Sequence, residues 1–281
     1  MKPELARALI ASQFPQWRGL PLERIGAHGT VNAVFRLGEH LTARFPMREQ
    51  DLAAEAAAAR ELLGATRFAT PAPVAMGSPA LGFPHPWAVQ TWLPGTMTSE
   101  NSHADNQALA YDLSEFIRGV RALDTRGRPF RGHGRGGHLP DHDGWMETCF
   151  RESETLLDVP VLRKLWAGFR ELPRESPDVM THGDLIPGNL LSSGDHLVGV
   201  LDVGGLGPAD PALDLIGAWH LFDQPARDVF RAQVGAGDLT WERGRAWAFE
   251  QVMGLIWHYH ETNPLMARLG RSTLHRITTA D

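Results

Sequence analysis

Two hydrophobic periods alternate along the chain, and the switches between them mark its elements. Residues 1–17, MKPELARALIASQFPQW, carry apolar positions at helical spacing with Glu4 and Arg7 among them, which predicts an amphipathic helix. From 22 to 46 the period drops to two. LERI, VNAVFRL and LTARF read as strands, with Gly26 and Gly29 bracketing the first connection and Gly38-Glu39 turning the second. In the last of these, Leu41, Ala43 and Phe45 share one face, so Thr42 and Arg44 project from the other. Residues 48–63, rich in Ala, Leu and Glu, predict a helix. Leu52, Glu55, Ala59 and Leu62 fall on a single face of it, whereas Glu61 lies off that face. Glu55 is thus a carboxylate on an apolar stripe, and it needs a partner.

A proline-rich stretch, 69–86, leads to a short apolar strand, WAVQTWL, closed by Pro94-Gly95. The pattern changes there. From about residue 105 it is mainly helical, with NQALAYDLSEFIRGVRAL at clear helical spacing and a glycine-rich, histidine-bearing loop at 131–144. Residues 189–203 read as a hairpin turned at Ser-Gly-Asp, and helices are expected over 211–222, 225–233 and 240–258. The pattern predicts an α+β, two-lobed architecture: a small β-rich lobe at 1–94 and a larger helical lobe at 95–281, with a cleft between them suited to ligands.

Composition narrows the partners. A net charge of −6 argues against a nucleic-acid footprint and is compatible with a cationic ligand. No apolar run approaches membrane-spanning length. Cys149 is the single cysteine, which excludes an intrachain disulfide, fits a cytoplasmic location and reads as a small packed side chain. His133, His138 and His142 match no standard zinc spacing, and the loop that carries them reads as solvated. Trp219, Trp247 and Trp257 fall on helices and read mainly as core, with a lesser expectation that one lines an acceptor pocket.

The chemistry concentrates in THGDLIPGNLL, residues 181–191, and in Asp202 at the end of the hairpin. Glycine and proline bend this stretch out of any regular element, and the hairpin brings Asp202 back beside Asp184 and Asn189. Two carboxylates and an amide are hard oxygen ligands of the kind that hold Mg²⁺ together with substrate phosphates. One aspartate is then left to address a hydroxyl, as phosphoryl transfer requires.

At these residues the sequence resembles a known family. HGDLIPGN followed by LDVGG is similar to the catalytic loop and metal-binding segment of the aminoglycoside and macrolide phosphotransferases, small-molecule kinases with a protein-kinase-like fold. GTVNAVFRLGEHLTARFP, WLPG, HGDLIPGNLL, LDVGGLGPADPALDLIGAW and TWERGRAWA follow in family order and span most of the chain. The resemblance implies Asp184 as the catalytic base. It implies Asn189 and Asp202 as Mg²⁺ ligands, and ATP or GTP as phosphoryl donor. Arg44 stands where protein kinases carry a phosphate-contacting lysine, with Glu55 as its partner. Thr91, Trp92 and Leu93 would supply the backbone that reads the purine edge. His182 would shape the loop and Asp214 would brace it from the next helix.

The implied activity is O-phosphorylation of an aminoglycoside-like or other antibiotic, by a monomer or homodimer. The same chemistry serves kinases of small metabolites such as amino alcohols, sugars or homoserine. A nucleotide-binding pseudokinase is the third reading, because arginine replaces lysine at position 44. Asp223, Asp228, Asp238, Glu242, Glu250 and Glu261 would favour a cationic acceptor if they converged. A protein kinase is disfavoured, since neither an HRD loop nor a DFG-to-APE segment can be read.

Overall fold

A computed structural model of the chain describes residues 1–25, 32–132 and 134–279. Gly26, Gly29 and His133 lie outside the described residues. Helix α1 (Pro3–Gln13) precedes strands β1 (Leu22–Ile25), β2 (Asn32–Leu37) and β3 (Leu41–Pro46). Helix α2 (Leu52–Leu62), then β4 (Pro73–Gly77) and β5 (Trp87–Thr91), complete the small lobe. The helix starts later than its composition suggests because the Asp51 carboxylate caps it, accepting the Ala54 N–H at 3.0 Å.

The strands form one antiparallel sheet in the order β1-β2-β3-β5-β4. Strand β4 was hidden in the proline-rich stretch. It occupies the sheet edge, where proline's missing N–H costs least. One face of the sheet packs Phe35, Phe45, Trp87 and Val89 against Ala6, Leu9 and Ile10 of α1. Phe45 and Trp87 stack at 4.8 Å between ring centroids.

The larger lobe begins with β6 (Thr96–Met97) and α3 (Gln107–Arg121), followed by α4 (Asp143–Glu152) and α5 (Val159–Phe169). Then come β7 (Val179–Thr181), the hairpin of β8 (Leu190–Ser193) and β9 (His196–Val200), and β10 (Gly207–Ala209). Helices α6 (Ile216–Leu221), α7 (Gln224–Val234), α8 (Asp238–His258) and α9 (Pro264–Thr279) close the chain. The helix α9 was not anticipated. It packs along α8, with Gly270 against Ile256. Trp219 and Trp247 are core, and so is Cys149, whose thiol is pushed up to about 12 chiefly by burial.

The two cores do not divide at Pro94-Gly95. The larger one reaches back to Ala59, Leu62 and Phe68. Ala69 also bonds β9 directly, its N–H donating to Val198 O at 3.2 Å and its carbonyl accepting Val200 N–H at 2.9 Å. The inner face of α2 is thereby tied to the helical lobe.

Candidate active site

The loop between β7 and β8 is built around its own backbone. Asp214, fully buried, accepts the N–H groups of His182 and Gly183, both at 2.8 Å, one on each oxygen. Gly183 has φ +86°, a conformation that glycine adopts without a Cβ clash. The buried His182 ring donates from Nε2 to Leu201 O at 3.0 Å, which leaves Nδ1 to accept the Asp184 N–H at 3.4 Å. Ile186 N–H closes a turn on Asp184 O at 3.0 Å, and Asn189 N–H closes the next on Ile186 O at 2.9 Å.

These bonds bring the predicted loop residues together. Asn189 Nδ2 donates to Asp184 O at 2.9 Å and to Asp184 Oδ2 at 3.1 Å. Asn189 O accepts the Leu201 N–H at 2.7 Å, which ties the loop to the chain just before Asp202. Asp202 itself is left-handed (φ +55°) and its side chain is half exposed.

Two residues that the sequence reading did not single out complete the surroundings of Asp184. Arg135 Nη2 donates to Asp184 Oδ1 at 3.1 Å, and Gln251 Nε2 donates to the same oxygen at 3.0 Å. A carboxylate has about four acceptor directions. Oδ1 is therefore filled, whereas Oδ2, with Asn189 alone among the described residues, keeps one direction open. The Asp184 side chain is 38% exposed.

Arg44 spreads its guanidinium between two carboxylates, with Glu55 Oε2 at 3.3 Å from Nη1 and Asp202 Oδ1 at 3.5 Å from Nη2. Burial pushes the Glu55 carboxyl above its ordinary value, and the anions of Asp202 and Asp51 add to that while the Arg44 cation opposes it. Gly204 is what lets α2 approach: a Cβ there would meet Glu55 Cγ at 2.8 Å. The inward carboxylate predicted from the helical stripe thus has its partner. Glu61, off the stripe, is engaged as well, by Arg128 at 2.6 Å.

At the end of β5, Thr91 N–H donates to Ala72 O at 2.9 Å and Trp92 N–H to His40 O at 2.7 Å. Both amides are committed within the protein. Among the described residues no group of three or more His, Cys, Asp or Glu side chains is placed to hold a metal. None of the described helices is long and apolar enough to cross a membrane.

The loop at 131–144 is not the solvated segment its composition suggests. From Arg135 onward it is anchored: Gly136 O accepts Asp210 N–H at 2.8 Å, and His142 Nδ1 lies 2.8 Å from Glu250 Oε1. Asp210 in turn receives the buried Arg243 at 2.8 Å and Trp247 Nε1 at 3.2 Å. Five of the six acidic residues singled out in the last hundred positions are taken up by separate partners. Asp223 pairs with Arg276, Asp228 with Gln224, Asp238 with Arg231, Glu242 with Arg245 and Glu250 with His142.

An antiparallel-sheet lobe, a helical lobe, a braced acidic loop and an arginine–glutamate pair bridged to Asp202 define the class: an enzyme with a kinase-like phosphotransferase fold. The sequence matches the model of the phosphotransferase enzyme family, APH, over residues 23–247, and the chain belongs to that family. Among solved structures, the GDP complex of aminoglycoside 2′-phosphotransferase-IIIa superposes with a TM-score of 0.72 at 16% identity, covering 99% of both chains. The macrolide 2′-phosphotransferase MphH from Brachybacterium faecium gives a TM-score of 0.61 at 17% identity, covering 99% of this chain and 98% of that one. The gentamicin complex of APH(2″)-IIa gives 0.62 at 15% identity, covering 100% of this chain and 97% of that one. No curated protein matches the chain at the sequence level.

Proposed function

We propose that the protein transfers the γ-phosphoryl group of ATP or GTP to a hydroxyl of an antibiotic, with Asp184 as the base. The observation that carries this reading is the occupancy of Asp184: Oδ1 closed by Arg135 and Gln251, Oδ2 open beside Asn189. A donor hydroxyl placed at the open direction of Oδ2 is oriented for attack. Its oxygen bonds to the γ-phosphorus as the bond from that phosphorus to the bridging oxygen breaks. The nucleoside diphosphate leaves, and the hydroxyl proton passes to Asp184.

The remaining residues take roles by position. Arg44, braced by Glu55, offers a planar cation to the α- and β-phosphates. With the Thr91 and Trp92 amides committed, the Leu93 N–H is the amide of that trio assigned to the purine edge. Asp214 and His182 hold the loop. Asn189 and Asp202 suit Mg²⁺: the Asn189 Nδ2 faces Asp184, which turns its Oδ1 the other way, and Asp202 presents a half-exposed carboxylate. So small a protein ligand set fits an ion whose other ligands are nucleotide phosphates and water. When bound there, Mg²⁺ neutralises phosphate charge.

Two of the similar structures bear names of aminoglycoside enzymes and one that of a macrolide enzyme, which supports an antibiotic acceptor. The test is a screen of aminoglycosides, macrolides, peptide antibiotics and amino alcohols with Mg²⁺ and either nucleotide, read by nucleoside diphosphate release and by mass of the product. Phosphorylated antibiotic is the expected outcome. Product from an amino alcohol alone would move the assignment to a metabolite kinase.

A further inference from the structure

The carboxylate of Asp184 is the terminus of a buried hydrogen-bond chain. Gln251 Nε2 on α8 lies 3.0 Å from Asp184 Oδ1, and Gln251 Oε1 lies 3.0 Å from His220 Nε2 on α6. His220 Nδ1 in turn lies 2.9 Å from Thr273 Oγ1 on α9. His220 and Thr273 are fully buried, and Gln251 is nearly so.

The donor directions follow from chemistry alone. A carboxylate only accepts, so the Gln251 amide must turn its nitrogen to Asp184 and its oxygen to His220. That oxygen requires a proton on His220 Nε2. Burial, with help from the cations Arg135 and Arg276, holds the imidazole down at about 4, although Gln251 and Asp184 pull the other way. The ring is therefore neutral and its Nδ1 accepts from the Thr273 hydroxyl. Each bond donates towards Asp184, and aligned bonds polarise one another in a buried setting.

We propose that Gln251 is a positioning residue for phosphoryl transfer, held in one amide orientation by His220 and Thr273. It keeps Oδ1 of Asp184 filled and so presents Oδ2 to the acceptor hydroxyl. This rests on reading Asp184 as the base. The chain reaches the site from three helices of the larger lobe, so distortion far from the cleft is transmitted to the reacting oxygen.

The test uses the full-length protein with Mg²⁺, nucleotide and the acceptor that gives most product in the screen above. Gln251→Leu should lower kcat by about 10- to 100-fold, the range expected for a misplaced catalytic group, with the acceptor KM changed by less than about threefold. Thr273→Val should lower kcat in the same direction by about three- to tenfold, and Thr273→Ser should restore it. Circular dichroism establishes that each variant is folded at the assay temperature. Independently of activity, nitrogen NMR of the wild-type protein with labelled histidine should show His220 neutral and protonated on Nε2 from pH 5 to pH 9. A folded Gln251→Leu with wild-type kcat overturns the proposal, and so does a His220 ring protonated on Nδ1. If Gln251→Leu does not fold, the Thr273 pair and the tautomer decide. Full activity in Asp184→Asn would instead remove the base assignment, whereas an inactive Asp184→Asn beside unaffected Gln251 and Thr273 variants would remove the positioning role alone.

Discussion

Arg135 Nη2 stands 3.1 Å from Asp184 Oδ1, a contact made from a loop between α3 and α4 that precedes the aspartate by 49 residues. The same guanidinium nitrogen reaches Gly183 O at 3.5 Å. A cation beside Asp184 neutralises part of its charge and fixes one of its two oxygens. With Asp184 as the proposed base, it also puts a positive group beside the acceptor hydroxyl.

Replacing Arg135 should therefore hurt turnover more than it hurts the fold. Arg135→Ala is expected to lower kcat by about tenfold or more, as loss of an oriented charged contact does. The pair is partly exposed, so the cost in stability should stay within about 1 kcal/mol. Steady-state kinetics and a denaturant titration on one preparation separate the two effects.

Arg44→Lys tests whether arginine at this position is an adapted choice. Arg44 reaches Glu55 and Asp202 with different nitrogens, and a compact ammonium cannot span both carboxylates in the same way. The expected result is a nucleotide KM raised by about tenfold, on the order of one lost charged contact. An unchanged or improved KM would show that the fork does no more than a lysine would.

Asp214→Asn should be destabilising. Both carboxylate oxygens accept buried loop amides, and an asparagine turns an N–H₂ group towards one of them. Leaving a buried donor unpaired costs about 1–3 kcal/mol. Calorimetry should show that loss, and kcat should fall with it, since His182 and Gly183 lead directly into Asp184.

The His142–Glu250 pair gives a pH signature. The hydrogen bond that His142 donates to Glu250 raises the imidazole above its ordinary 6.5, against a smaller opposing effect of burial. A raised folded value means that the stabilisation is complete below pH 6.5 and is lost as pH rises through the folded value. Melting temperature should accordingly fall across that window in the wild type, and His142→Gln should flatten the slope.

How much of this was legible in the chain depends on what each residue answers to. Arg44 and Glu55 were readable because each breaks a local period, an arginine in an alternating strand and a carboxylate on an apolar stripe. Asp184 and Asn189 were readable as neighbours because short-range turns bring them together, and the hairpin returns the chain to Asn189 at Leu201, one residue before Asp202. Strand β4 was not, since Pro73 and the prolines around it mimic a loop and only the pairing with β5 makes it a strand. Arg135 lay in a glycine-rich stretch whose order comes from distant partners, Asp184, Asp210 and Glu250. Gln251 carried no signal. It is one polar residue in a long helix buried on most sides, and its meaning appears only when α6, α8 and α9 are packed together.

The most direct test of the central claim is turnover in Asp184→Asn, measured with labelled γ-phosphate on the acceptor that responds best in the screen. The substitution keeps the shape and removes the proton acceptor. A fall in kcat of at least about 10²- to 10⁴-fold, with nucleotide affinity nearly unchanged, is the predicted result. Transfer at the wild-type rate would contradict the assignment of Asp184 as the base.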